Sequence, residues 1–156
     1  MTTQGKTIHL DRVGRLESLT DRQELQELVS RLAAALDEHR FDDLRALFLE
    51  DATVRTPGGE ARGPAALVAQ ATRNHEDYDR LQHLVSGVVV DLDGDRAAVR
   101  ANLVGIFGKS PENLPARVLG GLYRFGAART EDGWRFASLD VRPVWFYGDL
   151  PVPTAP

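Results

Sequence analysis

The sequence predicts an α+β fold in which helices come first and a curved, mostly antiparallel sheet follows. Three observations carry that expectation. Apolar residues in the first half recur with a helical period, those from Leu81 onward alternate with a period of two, and Asp-Gly pairs stand where tight hairpins would turn. A chain of 156 residues with 42% hydrophobic and 27% charged residues has the size of one domain and enough apolar material to bury a core.

Taken in order, residues 1–15 and 150–156 read as loosely held arms around a single domain with its core over about 16–148. Thr20 with Gln23 forms a capping box, after which Leu25, Leu28, Val29, Leu32 and Leu36 fall on one stripe of a helix ending near His39. A second short helix is predicted over 42–49 and a short strand over 52–56. Gly63-Pro64 opens a third helix over 64–74, with proline in the first turn, where its missing N–H costs nothing. Four long strands follow over 81–92, 96–107, 116–129 and 134–146, rich in β-branched residues. Asp93-Gly94 and Asp132-Gly133 supply two turns, and 109–115 is a longer loop.

Composition excludes several functions. The 19 Lys and Arg are scattered among 23 Asp and Glu, for a net charge of −4, so no basic stripe offers itself to nucleic acid. The absence of cysteine removes disulfides, thiolate metal sites and thiol nucleophiles, and makes a reducing cytoplasm the default compartment. Residues 1–10 lack the apolar centre of a secretory signal, and no segment is apolar enough for a membrane span. His9, His39 and His75 have no companions at ligand spacing, so no metal is expected. Trp134, Phe136 and Trp145 read as core or subunit-interface aromatics.

Reading Leu92 opposite Asp95 across the first turn places His83 opposite Val104, Val85 opposite Asn102 and Gly87 opposite Arg100. His83, Asn102 and Arg100 then share a face with Val85, Val89 and Val104, the pattern of an apolar pocket with a few convergent polar groups. The same pattern also suits a core histidine satisfied by a carbonyl and an arginine reaching water. The other face carries Leu84, Ser86, Val88 and Val90 against Leu103, Ala101, Val99 and Ala97. One face is expected to meet the helices and the other a second copy of the chain, and a single bulge would exchange them. Asp37 lies roughly 120° from the centre of the leucine stripe, on its flank. There it is either a solvated acid or a functional one, near a helix end whose dipole disfavours negative charge.

The run Leu-Ala-Ala-Ala-Leu-Asp-Glu-His-Arg-Phe-Asp-Asp-Leu-Arg-Ala-Leu-Phe-Leu-Glu-Asp-Ala over 32–52 resembles the helix–turn–helix opening of SnoaL-like proteins, in the nuclear transport factor 2-like superfamily. Later pieces agree in order: Gly63-Pro-Ala-Ala-Leu67, His83 opening a strand, Asp93-Gly-Asp95, Gly120-Gly-Leu-Tyr-Arg124 and Asp132-Gly-Trp-Arg-Phe136. The resemblance covers about 16–148 and implies a cone-shaped barrel, its sheet packed on three N-terminal helices around an internal pocket. It is nearest to the branch of scytalone dehydratase and hexachlorocyclohexane dehydrochlorinase. There, an aspartate on the first helix pairs with a histidine on the strand after the third, which implies Asp37 and His83 here. The carboxylate fixes the ring tautomer and leaves the other nitrogen as a base near neutral pH.

Other groups of that branch are replaced. Phe107 stands where scytalone dehydratase has a second histidine and Leu36 where it has a tyrosine. Leu32 and Leu139 stand where dehydrochlorinase has a lysine and an arginine. Arg100, Asn102 and Tyr123 are the candidate donors to substrate in their stead, with Phe107 as a further substrate contact. The expectation is therefore a cofactor-free lyase or isomerase acting on a small, partly apolar molecule, in a homodimer or homotrimer formed through the sheet face. A binding module of the same fold is the alternative. Epoxide hydrolysis or polyketide ring closure would call on Asp140 of the last strand, a residue that could equally pair with Arg142 or Arg124.

Overall fold

The structure, a computed structural model, describes the backbone of residues 3–148 and the side chains of 12–148; the tail at 150–156 lies outside the described residues. The order is α1 (Thr3–Asp37), a 3₁₀ segment (Phe41–Ala46), β1 (Phe48–Thr56), β2 (Gly59–Arg62), α2 (Pro64–His75), β3 (Arg80–Asp93), β4 (Arg96–Gly108), β5 (Arg117–Thr130) and β6 (Gly133–Tyr147). One sheet runs β2-β1-β6-β5-β4-β3, antiparallel throughout except for the parallel β1–β6 pair. It ends in free edges at β2 and β3, so the expected barrel is an open sheet and not a closed one.

The helical opening differs from expectation in two ways. Helix α1 already runs from Thr3, and Thr20 lies inside it: the hydroxyl donates to Leu16 O at 3.0 Å, the back-bonding of a mid-helix threonine, so it caps nothing. Residues 48 and 49, expected in a second helix, begin β1 instead, because Phe48 packs on Phe136 with ring centroids 5.4 Å apart and pairs with it in parallel. Two α-helices and a 3₁₀ turn thus replace the three expected helices. The leucine stripe is as predicted, with Leu25, Leu28, Val29, Leu32 and Leu36 all buried. Each such side chain contributes roughly 1.5–3 kcal/mol of transfer free energy.

Helix α1 stops sharply after Asp37. His39 takes φ +54, its N–H reaches Leu36 O at 3.2 Å, and Arg40 N–H reaches Ala35 O at 2.8 Å, the paired bonds of a Schellman ending. His39 Nε2 lies 2.8 Å from Tyr78 O, tying this corner to the segment that enters β3.

The register of β3 and β4 corrects the predicted faces. The turn pairs Asp93 with Arg96, leaving Gly94 (φ +59) and Asp95 in the loop, and a bulge interrupts the ladder between Ser86 and Val89. Gly87 carries that bulge at φ +59, a conformation that strains any residue with a Cβ. Below the bulge His83 faces Gly105, not Val104. The extra residue switches which parity points inward: His83 and Val85 below the bulge, Val88, Val90 and Leu92 above it, all against the core. Their inward companions are Leu103, Ala101, Val99 and Ala97, while Asn102 and Arg100 point out of the sheet and are exposed. At the far end Trp134 and Phe136 are core residues, whereas Trp145 is half exposed.

Candidate active site

The interior of the curved sheet holds a cavity of about 100 Å³ between the ends of α1 and α2 and the inward faces of β3 to β6. Its wall is mostly apolar, with Leu36, Leu67, Leu103, Phe107, Leu119 and Val141 among its members. Among the residues that line it, His83, His75, Arg117, Gln70, Asn74 and Tyr123 carry polar groups.

The Schellman ending leaves Asp37 beside the first residues of β3. His83 N–H donates to both carboxylate oxygens, at 2.9 and 3.0 Å, and the His83 ring donates through Nδ1 to Oδ1 at 2.6 Å. A carboxylate only accepts, so the bond places the ring proton on Nδ1 and leaves Nε2 with its lone pair. The His83 side chain is 3% exposed and lines the cavity. Asp37, at 25%, sits behind it and faces a separate outer groove with Arg80, Gln82 and Leu114. The imidazole thus stands between the carboxylate and the cavity. Burial pushes the Asp37 carboxyl up, but hydrogen bonds from the His83 ring and backbone outweigh it and hold the group below its ordinary range. These three bonds also answer the unfavourable placement of an acid at a helix C-terminus.

Glycine at 105 makes room for the Phe107 ring, with the imidazole at ordinary contact distance beside it. A Cβ there would stand 3.0 Å from the Phe107 ring and 3.7 Å from His83 Cδ2. Phe107 meets His83 edge-on at 5.7 Å and stacks on His75 at 5.6 Å, so one phenyl ring orients both imidazoles.

Of the predicted substrate contacts, Phe107 and Tyr123 line the cavity. Burial and the nearby Asp37 charge raise the Tyr123 hydroxyl, which therefore stays protonated as a donor. Arg100 and Asn102 do not reach the cavity: they lie on the outer face and bond to each other at 3.3 Å. The Gly87 bulge is the reason. Asp140 also alternates outward, between the lining residues Leu139 and Val141, and pairs with Arg142 at 2.6 Å.

Several polar cavity residues escaped the sequence reading, His75, Gln70, Asn74 and Arg117 among them. His75 ends α2, and its Nδ1–H donates to Ala71 O at 2.7 Å, leaving Nε2 bare; its ring centroid is 5.4 Å from that of His83. Burial, reinforced by the charges of His83 and Arg117, lowers His75 to about 4, so it is neutral at pH 7. Its signal was the spacing Leu67, Ala71, His75, one buried stripe at intervals of four. Gln70 belongs to the same helix face. Arg117 shares parity with Leu119 and Tyr123 on β5, and only a known inward side for that strand could have exposed it.

Comparison with known proteins fits this architecture. The uncharacterized protein Rv2910c of Mycobacterium tuberculosis is 31% identical over 122 residues, covering 75% of this chain and 81% of its own. An NTF2-like protein with a cystatin-like fold from Novosphingobium aromaticivorans superposes with a TM-score of 0.75 at 26% identity, over 86% of this chain and 89% of its own. A hexachlorocyclohexane dehydrochlorinase, LinA type 2, superposes at 0.77 over 91% of this chain and 97% of its own; its 19% identity makes this a likeness of fold. The SnoaL-like domain family matches residues 17–140, nearly the whole span from the leucine stripe of α1 to the middle of β6, and this chain belongs to it.

Proposed function

We propose that the protein is a cofactor-free lyase or isomerase in which His83 removes a proton from a small, partly apolar molecule and Asp37 positions the imidazole. The observation that carries this reading is the Nδ1–H bond to Asp37, which leaves Nε2 free on the cavity side of an otherwise buried ring. In the proposed step Nε2 takes a proton from a carbon next to an electron-withdrawing group, and the C–H electron pair becomes the new π bond. For elimination, the leaving group departs from the adjacent carbon with its bonding pair. For isomerisation, the imidazolium returns the proton to another carbon. Asp37 stabilises the imidazolium formed between these events. The fold likeness to a dehydrochlorinase supports elimination chemistry as the first class to assay.

A homodimer or homotrimer through the outer sheet face belongs to the same reading. It is supported by exposed apolar residues there and at the end of β6: Leu84, Val89, Val144, Trp145, Phe146 and Tyr147. A cytoplasmic setting is also proposed, on the cysteine-free sequence. Among the described residues no helix is long and apolar enough to cross a membrane.

The test is proton exchange at carbon, read by NMR in D₂O on a panel of small cyclic ketones and β-hydroxy or β-halo carbonyl compounds. Wild-type protein is expected to accelerate exchange or elimination for at least one member. Asp37→Asn should lower that rate by about 10²-fold, because an amide neither fixes the tautomer nor stabilises imidazolium. Saturable binding with no exchange across the panel would favour a binding module instead, and a rate unchanged in Asp37→Asn would remove Asp37 from the mechanism.

A further inference from the structure

Arg117 opens β5 directly opposite Phe107 on β4 and is 8% exposed. Its guanidinium carbon lies 4.8 Å from the Phe107 ring centroid and 4.8 Å from that of Tyr78, and one terminal nitrogen donates to the Tyr78 hydroxyl. No carboxylate approaches within ion-pair distance among the described residues, and the buried Nε has no acceptor. The second buried side-chain nitrogen without an acceptor is Gln70 Nε2, in another residue that lines the same cavity and is 2% exposed. The other arginines are exposed, answered by acids as Arg129 is by Asp21 and Asp95, or satisfied by backbone carbonyls as Arg22 is by Val90 and Arg135 by Trp134. A buried cation normally requires a carboxylate or comparable oxygen partner, and cation–π contacts with a neutral hydroxyl return only part of its lost hydration. The unmet demand, at both residues, is for acceptor oxygen.

We propose that Arg117 receives an anionic or strongly polarised oxygen of the ligand, so that the cavity selects small, mostly apolar molecules bearing a carboxylate, enolate or carbonyl oxygen. The inference rests on the cavity being the reaction site proposed above and names its substrate class. Phe107 relates the two groups: its ring is 4.8 Å from the guanidinium and 5.7 Å from the His83 ring, so both flank one side chain of the cavity wall, within the span of a single compact ligand. An oxygen held by Arg117 would carry the negative charge released when His83 removes a neighbouring proton. His75, neutral and presenting a bare Nε2, adds an acceptor beside the same ring for a hydroxyl of the ligand.

Benzoate and its neutral counterpart benzyl alcohol test this, titrated into full-length protein by calorimetry and by NMR. Wild type is expected to bind benzoate at least about tenfold more tightly, the scale of one charge-assisted hydrogen bond, with shifts at Phe107 and Tyr123. Arg117→Met should erase the preference while leaving benzyl alcohol binding in place; Arg117→Lys should retain part of it. Equal affinities in wild type, or a preference that survives in Arg117→Met, would overturn the proposal. If Arg117→Met fails to fold, the wild-type comparison decides together with the Arg117 Nε–H signal, which benzoate must shift and benzyl alcohol must not. His83→Ala separates this inference from the proposed chemistry: it should keep the benzoate preference, so loss of proton exchange with that preference intact speaks only to the base.

Discussion

His83→Ala is expected to lower the rate of proton exchange or elimination by about 10²–10⁴-fold, the range supplied by a positioned general base. The substitution removes the ring nitrogen facing the cavity but keeps the backbone N–H bonds to Asp37, at 2.9 and 3.0 Å, that hold β3 to the end of α1. The fold should therefore survive, and circular dichroism with urea unfolding will show whether it does. His83→Gln supplies the sharper comparison: its amide can bond to Asp37 yet cannot act as a base, so it should be as inactive as the alanine variant and more stable. Retained exchange in either variant would remove His83 from the chemistry.

The second large effect concerns stability. Burial, reinforced by the charges of His83 and Arg117, lowers His75 to about 4 in the folded protein, against its ordinary 6.5. The unfolded chain therefore binds a proton that the folded one refuses between those values, and stability must fall as pH drops from about 6.5 towards 4. The full difference corresponds to about 3 kcal/mol, a large share of the stability of a small domain. His75→Gln should flatten the slope in urea unfolding followed between pH 7 and pH 4. An unchanged slope would show that His75 is not the group responsible. Asp37 acts in a separate window. Its carboxyl is held below the ordinary 3.8, so its contribution is present above that value and is lost only at more acid pH.

The strands were legible because their alternation, β-branched content and Asp-Gly turns all point the same way; predicted and observed bounds of β3 to β6 differ by a single residue. The Asp37–His83 pairing was legible only through family resemblance, since periodicity left Asp37 on the flank of its helix. What failed was register. One residue inserted at Gly87 exchanges the faces of the hairpin, and with them the fates of Arg100 and Asn102. A lone glycine in a strand pattern signals a bulge, but not on which side the inward parity changes. The helix start failed because Thr20 and Gln23 satisfy the capping pattern while the preceding residues continue the helix without interruption. His75 and Arg117 were missed because each depends on distant packing: α2 laid over the sheet, and the inward side of β5.

Nitrogen-15 NMR of the histidine side chains tests the central claim, that Asp37 holds His83 with its proton on Nδ1 and a bare Nε2 facing the cavity. Near pH 8 the account predicts a protonated Nδ1 and an unprotonated Nε2 for His83, with that preference weakened in Asp37→Asn. A proton found on Nε2 in the neutral ring of the wild-type protein would contradict it, since no base would then face the cavity.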